Sequence, residues 1–221
     1  MSYALVLQAA VFAAAKHTGQ HRKDANRSPY INHPLEVAAV LATEAGIEDE
    51  RVLAAALLHD TVEDTDTTPA ELEAAFGPEI AGFVAEVTDD KGLPKAQRKD
   101  LQVSHAPHLS PQAKLIKLAD KICNVRDITY RPPANWPLTR RIEYLDWTER
   151  VIAGCRGTNA QMERIYAHAR ELMARNGNPT SLWGRDAAAL AEMATSHRNR
   201  RYLPDCELPD SLCCQPDLGA A

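Results

Sequence analysis

The chain has 221 residues, 45% hydrophobic and 25% charged, which is long enough for a full core and is not the composition of a disordered protein. Its 25 basic and 30 acidic side chains give a formal net charge of −5, which argues against a general nucleic-acid binder, whose affinity needs a basic face. Five cysteines, an odd number with no Cys-x-x-Cys spacing, argue against a disulfide framework.

Helix punctuation recurs along the chain and strand alternation does not, so an all-α protein is expected. The apolar stretch 4–15 lacks a basic leader, and Gln8 and Lys16 make it a core helix ending near Gly19 rather than a signal peptide. No apolar run reaches the length that spans a bilayer, so a soluble, cytoplasmic protein without a membrane partner is expected. Pro34 opens a helix that stops at Gly46, and Asp49 caps the next, which holds the dipeptide His59-Asp60.

That dipeptide follows the apolar run 52–58 and precedes Glu63 and Asp64. Lone carboxylates in such a setting cost several kcal/mol unless they are paired, neutralised or placed on a metal, as a rough figure for buried ions. At about 100° per residue, positions 59, 60, 63 and 64 of one helix fall within roughly 140° of its circumference. One polar face is therefore expected to carry the chemistry.

Thr68-Pro69-Ala70-Glu71 is a capping box with Pro at the first helical position, for a helix ending at Gly77, and Pro78 begins another. Ser110-Pro111 launches a helix through Val125. Its apolar positions are Leu115, Leu118, Ala119 and Ile122, opposite a stripe of Lys117, Asp120, Lys121 and Asn124. Helices over about 138–153 and 159–174 follow, the second capped by Thr158, with Gly154 and Gly157 in the turn between them. Beyond Gly177 one further helix over about 185–197 is expected, and then a loose tail from Leu203.

His33, His59-Asp60 and Asp120 offer metal ligands from three separated segments. Alone, His33 reads as a capping or core histidine and Asp120 as a helical partner of Lys117. Their joint order gives the pattern of the HD superfamily of metal-dependent phosphohydrolases. The runs His21-Arg22-Lys23, Pro29-Tyr30-Ile31-Asn32-His33-Pro34, Leu57-Leu58-His59-Asp60-Thr61-Val62-Glu63-Asp64-Thr65 and Lys117-Leu118-Ala119-Asp120-Lys121, with Asn124, Arg126 and Asp127, resemble RelA/SpoT-type hydrolase domains. The likeness is greatest to the stand-alone small alarmone hydrolases, the animal SpoT-homologue type included. It covers about 1–176, the expected hydrolase domain, and leaves 177–221 as a C-terminal extension.

The resemblance implies an HD-domain helical bundle and metal-dependent 3′-pyrophosphohydrolysis of ppGpp or pppGpp, a guanine nucleotide being the partner. The alternatives are removal of the 2′-phosphate of NADPH on the same site, or a nucleotide-binding sensor without catalysis. Mixed nitrogen and oxygen ligation with open positions suits Mn²⁺, with Zn²⁺ as the alternative. Glu63 and Asp64 are the acid/base candidates, because acidic residues ending a helix on the surface would be unfavourable there. Asn124 shares the stripe of Asp120, and the resemblance assigns it to substrate. Arg22 and Lys23 are implied to hold the base, and Arg140 and Tyr144 to lie near the ligand. Asp127 closes the matching run and is taken with them. Lys91, Lys95, Arg98 and Lys99 form a basic group suited to a remote diphosphate, or a solvated helix face. Trp136, Trp147 and Tyr130 read as core or pocket wall.

Overall fold

In the computed structural model, the described residues are 3–175, 180–183, 187–200, 203–208 and 212–215. Residues 3–175 form ten helices with short π and 3-10 segments: α1 (Tyr3–Lys16), α2 (Asn32–Ala39), α3 (Glu50–Leu58), α4 (Thr61–Asp64), α5 (Pro69–Phe76), α6 (Pro78–Val87), α7 (Lys95–His105), α8 (Pro111–Tyr130), α9 (Leu138–Cys155) and α10 (Ala160–Arg175). The expected helical bundle is what forms here.

Helix α3 lies at the centre, against α1, α2, α6 and α8. All of Val52 to Leu58 is buried, so the helix is apolar on every side, as a helix enclosed by neighbours must be. Truncating one such leucine to alanine costs about 2–5 kcal/mol. Asp49 caps it by accepting from the Arg51 N–H. Helix α8 packs on α2, α6, α9 and α10, and its buried Leu118, Ala119 and Ile122 face the same core.

The one-helix expectation across residues 59–64 does not hold. Helix α3 ends at Leu58, Asp60 sits at φ −99°, ψ −4°, and the single turn α4 follows. The cause is local competition for carbonyls. The His59 ring nitrogen Nδ1 bonds Ala56 O at 2.7 Å and the Thr61 hydroxyl donates to Leu58 O at 2.7 Å, so side chains satisfy the helix end.

Other boundaries shift by smaller amounts. The second helix begins at Asn32, before Pro34, and continues as a π segment, Val40–Glu44, up to Gly46, where φ is +66°. Helix α8 runs on to Tyr130. Asn159, not Thr158, caps α10, its Oδ1 accepting from the N–H groups of Gln161 and Met162. Gly157 makes the turn at φ +83°, whereas Gly154 lies inside α9. A Cβ at Gly154 would stand 2.7 Å from Ala106 Cβ and 2.9 Å from the Pro107 backbone nitrogen, so α9 touches the 3-10 turn Ala106–His108 backbone to backbone.

The C-terminal part differs in kind. Strand β1 (Thr180–Trp183) pairs in parallel with β4 (Leu212–Gln215), around the helix α11 (Ala187–Ser196). A short antiparallel pair joins β2 (Arg198–Asn199) to β3 (Leu203–Glu207). Leu190, Leu208 and Leu212 make a small separate core, and β1 rests on α9 and α10. The expected tail from Leu203 is thus ordered into strands at 203–207 and 212–215. The remainder of that expectation, 216–221, lies outside the described residues.

Candidate metal centre and adjoining cavity

The break at the end of α3 has a geometric result. His59 and Asp60 leave the helix axis and meet His33 at the start of α2 and Asp120 in mid-α8. His33 Nε2 lies 3.1 Å from Asp120 Oδ1 and 3.8 Å from Asp60 Oδ2. His59 Nε2 lies 3.1 Å from Asp60 Oδ2 and 4.0 Å from Asp120 Oδ1. The donor atoms of His33, His59 and Asp60 all fall within 4.8 Å of one another, a spacing one ion can span.

The donor chemistry fits a divalent cation. Ala56 O takes the proton of His59 Nδ1, which leaves Nε2 as the ring nitrogen that faces the cluster. That Nε2 atom is buried and makes no hydrogen bond, despite its closeness to Asp60. Burial opposes a charged His59 ring, but Asp60 and then Asp120 outweigh it and push its pKa up to about 9. Burial also opposes the charges of Asp60 and Asp120. It is overcome for Asp60 by His59 and His33, and for Asp120 by Lys121 and the same imidazoles, so both stay ionised well below the usual range. The electrostatics of the cluster call for positive charge at its middle.

The carboxylates are held from behind. The Tyr30 hydroxyl donates to Asp60 Oδ2 at 2.7 Å and lies 3.0 Å from Asp64 Oδ2, so one phenol bridges a ligand candidate and an acid/base candidate. Tyr30 stacks on His17 with ring centroids 4.8 Å apart. Asn124 Nδ2 donates to Asp120 Oδ1 at 2.6 Å, and Lys121 Nζ lies 3.0 Å from Asp120 Oδ2. The expected Lys117 partner is not used: Lys117 is buried and donates to Val87 O at 3.0 Å. Tyr30 and Lys121 both lie within the matching motif runs, but spacing alone does not show where a phenol or an ammonium ends.

Beside the cluster opens a cavity of about 800 Å³. Arg22, Lys23, Asn124, Asp127, Lys95, Arg140 and Tyr144 all line it, as do His33, Glu63 and Asp64. Glu63 accepts from the Asp89 N–H at 3.1 Å and lies 3.7 Å from Arg98. Burial, with the charges of Asp89, Asp60 and Asp64, pushes its pKa up to about 7 against the pull of that N–H bond. Asp64 is bonded by Lys91. Arg22 pairs with Asp127, reaches Asn124 Oδ1 at 3.2 Å and lies over the Tyr30 ring, so its guanidinium is pinned in place.

Lys91, Lys95, Arg98 and Lys99 share the cavity wall, although Lys91 precedes α7 rather than lying on it. Trp136 and Trp147 are wall residues, with Arg140 4.5 Å above the Trp136 ring. Tyr130 is neither wall nor core, being 59% exposed at the end of α8. No helix among the described residues is long and apolar enough to cross a membrane.

The HD domain family model matches residues 9–144. The N-terminal family model of NAD-dependent glycerol-3-phosphate dehydrogenase matches residues 169–221, the part that carries the parallel strands. The chain is 56% identical over 165 residues to guanosine-3′,5′-bis(diphosphate) 3′-pyrophosphohydrolase MESH1 of Xenopus tropicalis, covering 75% of this chain and 92% of that one. The Homo sapiens protein of the same name matches to the same extent. A solved structure described as a metazoan ortholog of SpoT that hydrolyzes ppGpp superposes with a TM-score of 0.74 at 46% identity, covering 76% of this chain and 95% of the other.

Proposed function

The chain belongs to the HD domain family, and on that premise we propose that it is a divalent-metal-dependent guanosine-3′,5′-bis(diphosphate) 3′-pyrophosphohydrolase, cleaving ppGpp or pppGpp to GDP or GTP and pyrophosphate. The observation that carries this reading is the meeting of His33, His59, Asp60 and Asp120 beside a cavity lined by His33, Glu63, Asp64 and a cationic wall. Residues 1–176 are the hydrolase domain in this reading and 177–221 an appended segment. The enzyme acts in the cytoplasm on a small nucleotide, with neither nucleic acid nor membrane as partner.

His33, His59, Asp60 and Asp120 would hold the ion, with two imidazole and two carboxylate donors suiting Mn²⁺ before Zn²⁺. When bound there, a divalent ion acidifies water and polarises a phosphoryl oxygen. The chain's own groups do the rest. Glu63, with a carboxyl pKa near 7, is placed to take a proton from the attacking water and to return one to the departing ribose 3′ oxygen. Asp64 is fixed by Tyr30 and Lys91 and orients that water. The bond that breaks joins the 3′ oxygen to phosphorus, and the water oxygen leaves in pyrophosphate.

Asn124 is angled from Asp120 toward the cavity and serves the ribose or the scissile phosphate. Arg22, pinned by Asp127, offers its flat face to a base, with Lys23 alongside. Lys95, Arg98 and Lys99 receive the remote 5′ diphosphate, and Arg140 and Tyr144 close the far side.

Purified protein incubated with ppGpp and Mn²⁺ is expected to release pyrophosphate and GDP. Release of inorganic phosphate alone would overturn the reading. NADPH in the same assay tests the rival: turnover faster than that of ppGpp would make the 2′-phosphate the substrate group.

A further inference from the structure

Lys121 directly follows a ligand candidate, yet its side chain is only 5% exposed and it is not part of the cavity wall. Its ammonium lies 4.5 Å from the centroid of the Trp147 ring, and that ring is a wall residue. A lysine placed behind an aromatic wall is not a phosphate ligand. It also lies 3.0 Å from Asp120 Oδ2.

The two oxygens of Asp120 are thereby divided. Oδ1 faces His33 Nε2 at 3.1 Å and His59 Nε2 at 4.0 Å and accepts from Asn124, whereas Oδ2 is held by Lys121. Lys117, one turn earlier, donates instead to Val87 O.

We propose that Lys121 is a positioning residue that restricts Asp120 to ligation through a single oxygen, and so keeps room on the ion for both water and a phosphoryl oxygen. The inference rests on the metal-dependent hydrolase reading above. An ion such as Mn²⁺ accepts about six donors, so four one-atom ligands leave about two positions. A carboxylate binding through both oxygens leaves about one, and nucleophile and substrate then compete for it. The Lys121 charge also cancels one of the two carboxylate charges, so the bound ion stays cationic toward a phosphate.

The test begins with the unaltered protein, stripped of metal and titrated with Mn²⁺, with inner-sphere water counted from solvent-proton relaxation. About two waters are expected; about one would overturn the inference. Lys121→Met is expected to bind Mn²⁺ with one water fewer and to lose about tenfold or more in kcat, with KM for ppGpp within about twofold. Lys121→Gln, whose amide still donates to Oδ2, is expected to keep the parent's water count. Lys121→Met with an unchanged water count would overturn the proposal. Failure of the parent to bind Mn²⁺ would remove the metal reading as well, whereas a parent that binds Mn²⁺, hydrolyses ppGpp and holds about one water removes this inference alone.

Discussion

The two ends of the cavity are built on opposite terms. At the metal end, His33 and His59 are buried and each carboxylate is gripped by a further side chain: Tyr30 on Asp60, Asn124 and Lys121 on Asp120. At the far end, Lys23, Lys95 and Arg140 are exposed, and Lys99 rests over an indole rather than on a carboxylate. The contrast teaches that buried, mutually bonded side chains fix one end of the cavity, while the other presents exposed charges whose pairing energy is small in water.

The largest effect should come from breaking the rigid end outright. His59→Ala removes a donor whose tautomer is set by Ala56, and loss of several kcal/mol of charge stabilisation corresponds to about a thousandfold or more in kcat/KM. Calorimetry should show Mn²⁺ affinity lost in the same variant. Retained metal affinity would mean the four side chains do not act as one site.

Glu63→Gln comes next, with kcat down by about 10²–10⁴. The same change gives a stability signature in metal-free protein. The Glu63 carboxyl pKa is raised from 4.5 to about 7, so between those values the folded chain keeps a proton that the unfolded chain has released. Stability therefore falls as pH rises through that window. Thermal melts from pH 4.5 to 7.5 should show a shallower decline for Glu63→Gln than for the parent, and identical slopes would contradict the burial assigned to this group.

Tyr30→Phe should cost less, about tenfold in kcat with a weakened grip on Mn²⁺, because it frees Asp60 and Asp64 without removing either. A melting temperature near that of the parent separates this from a folding defect. Lys95→Ala should be mildest, raising KM for ppGpp a few-fold with kcat held, and the penalty should shrink as salt is added. If Lys95→Ala lowered kcat as far as Tyr30→Phe, the division between the two ends would fail.

Much of this contrast could be read from residue order. The capping signals at Asp49, Thr68 and Ser110 and the stop at Gly77 are local, since each concerns a side chain and the backbone a few residues on, and they placed α3, α5 and α8 closely. The same locality explains the errors. The helix expected to continue through Asp60 ends because His59 and Thr61 bond backward to carbonyls, a competition that an apolar pattern does not record. The strands at 203–207 and 212–215 depend on partners at 198–199 and 180–183, and such pairing is invisible to a scan for alternation in segments this short. His33, His59, Asp60 and Asp120 were legible through the family resemblance that their order along the chain carries. Tyr30 and Lys121 were not, since their roles depend on contacts across the fold.

Gly154 is not among these groups, yet it bears on how wide the cleft can be. The helix it belongs to carries Tyr144 and Trp147 on the opposite stretch, and it is seated against Ala106 and Pro107 with no space for even a methyl group. A single hydrogen atom on that α-carbon thus acts as the shim that sets the spacing of an aromatic jaw two to three helical turns away. An added carbon there would push the helix off that turn and disturb the jaw, together with the Lys121 ammonium that rests 4.5 Å from the Trp147 ring.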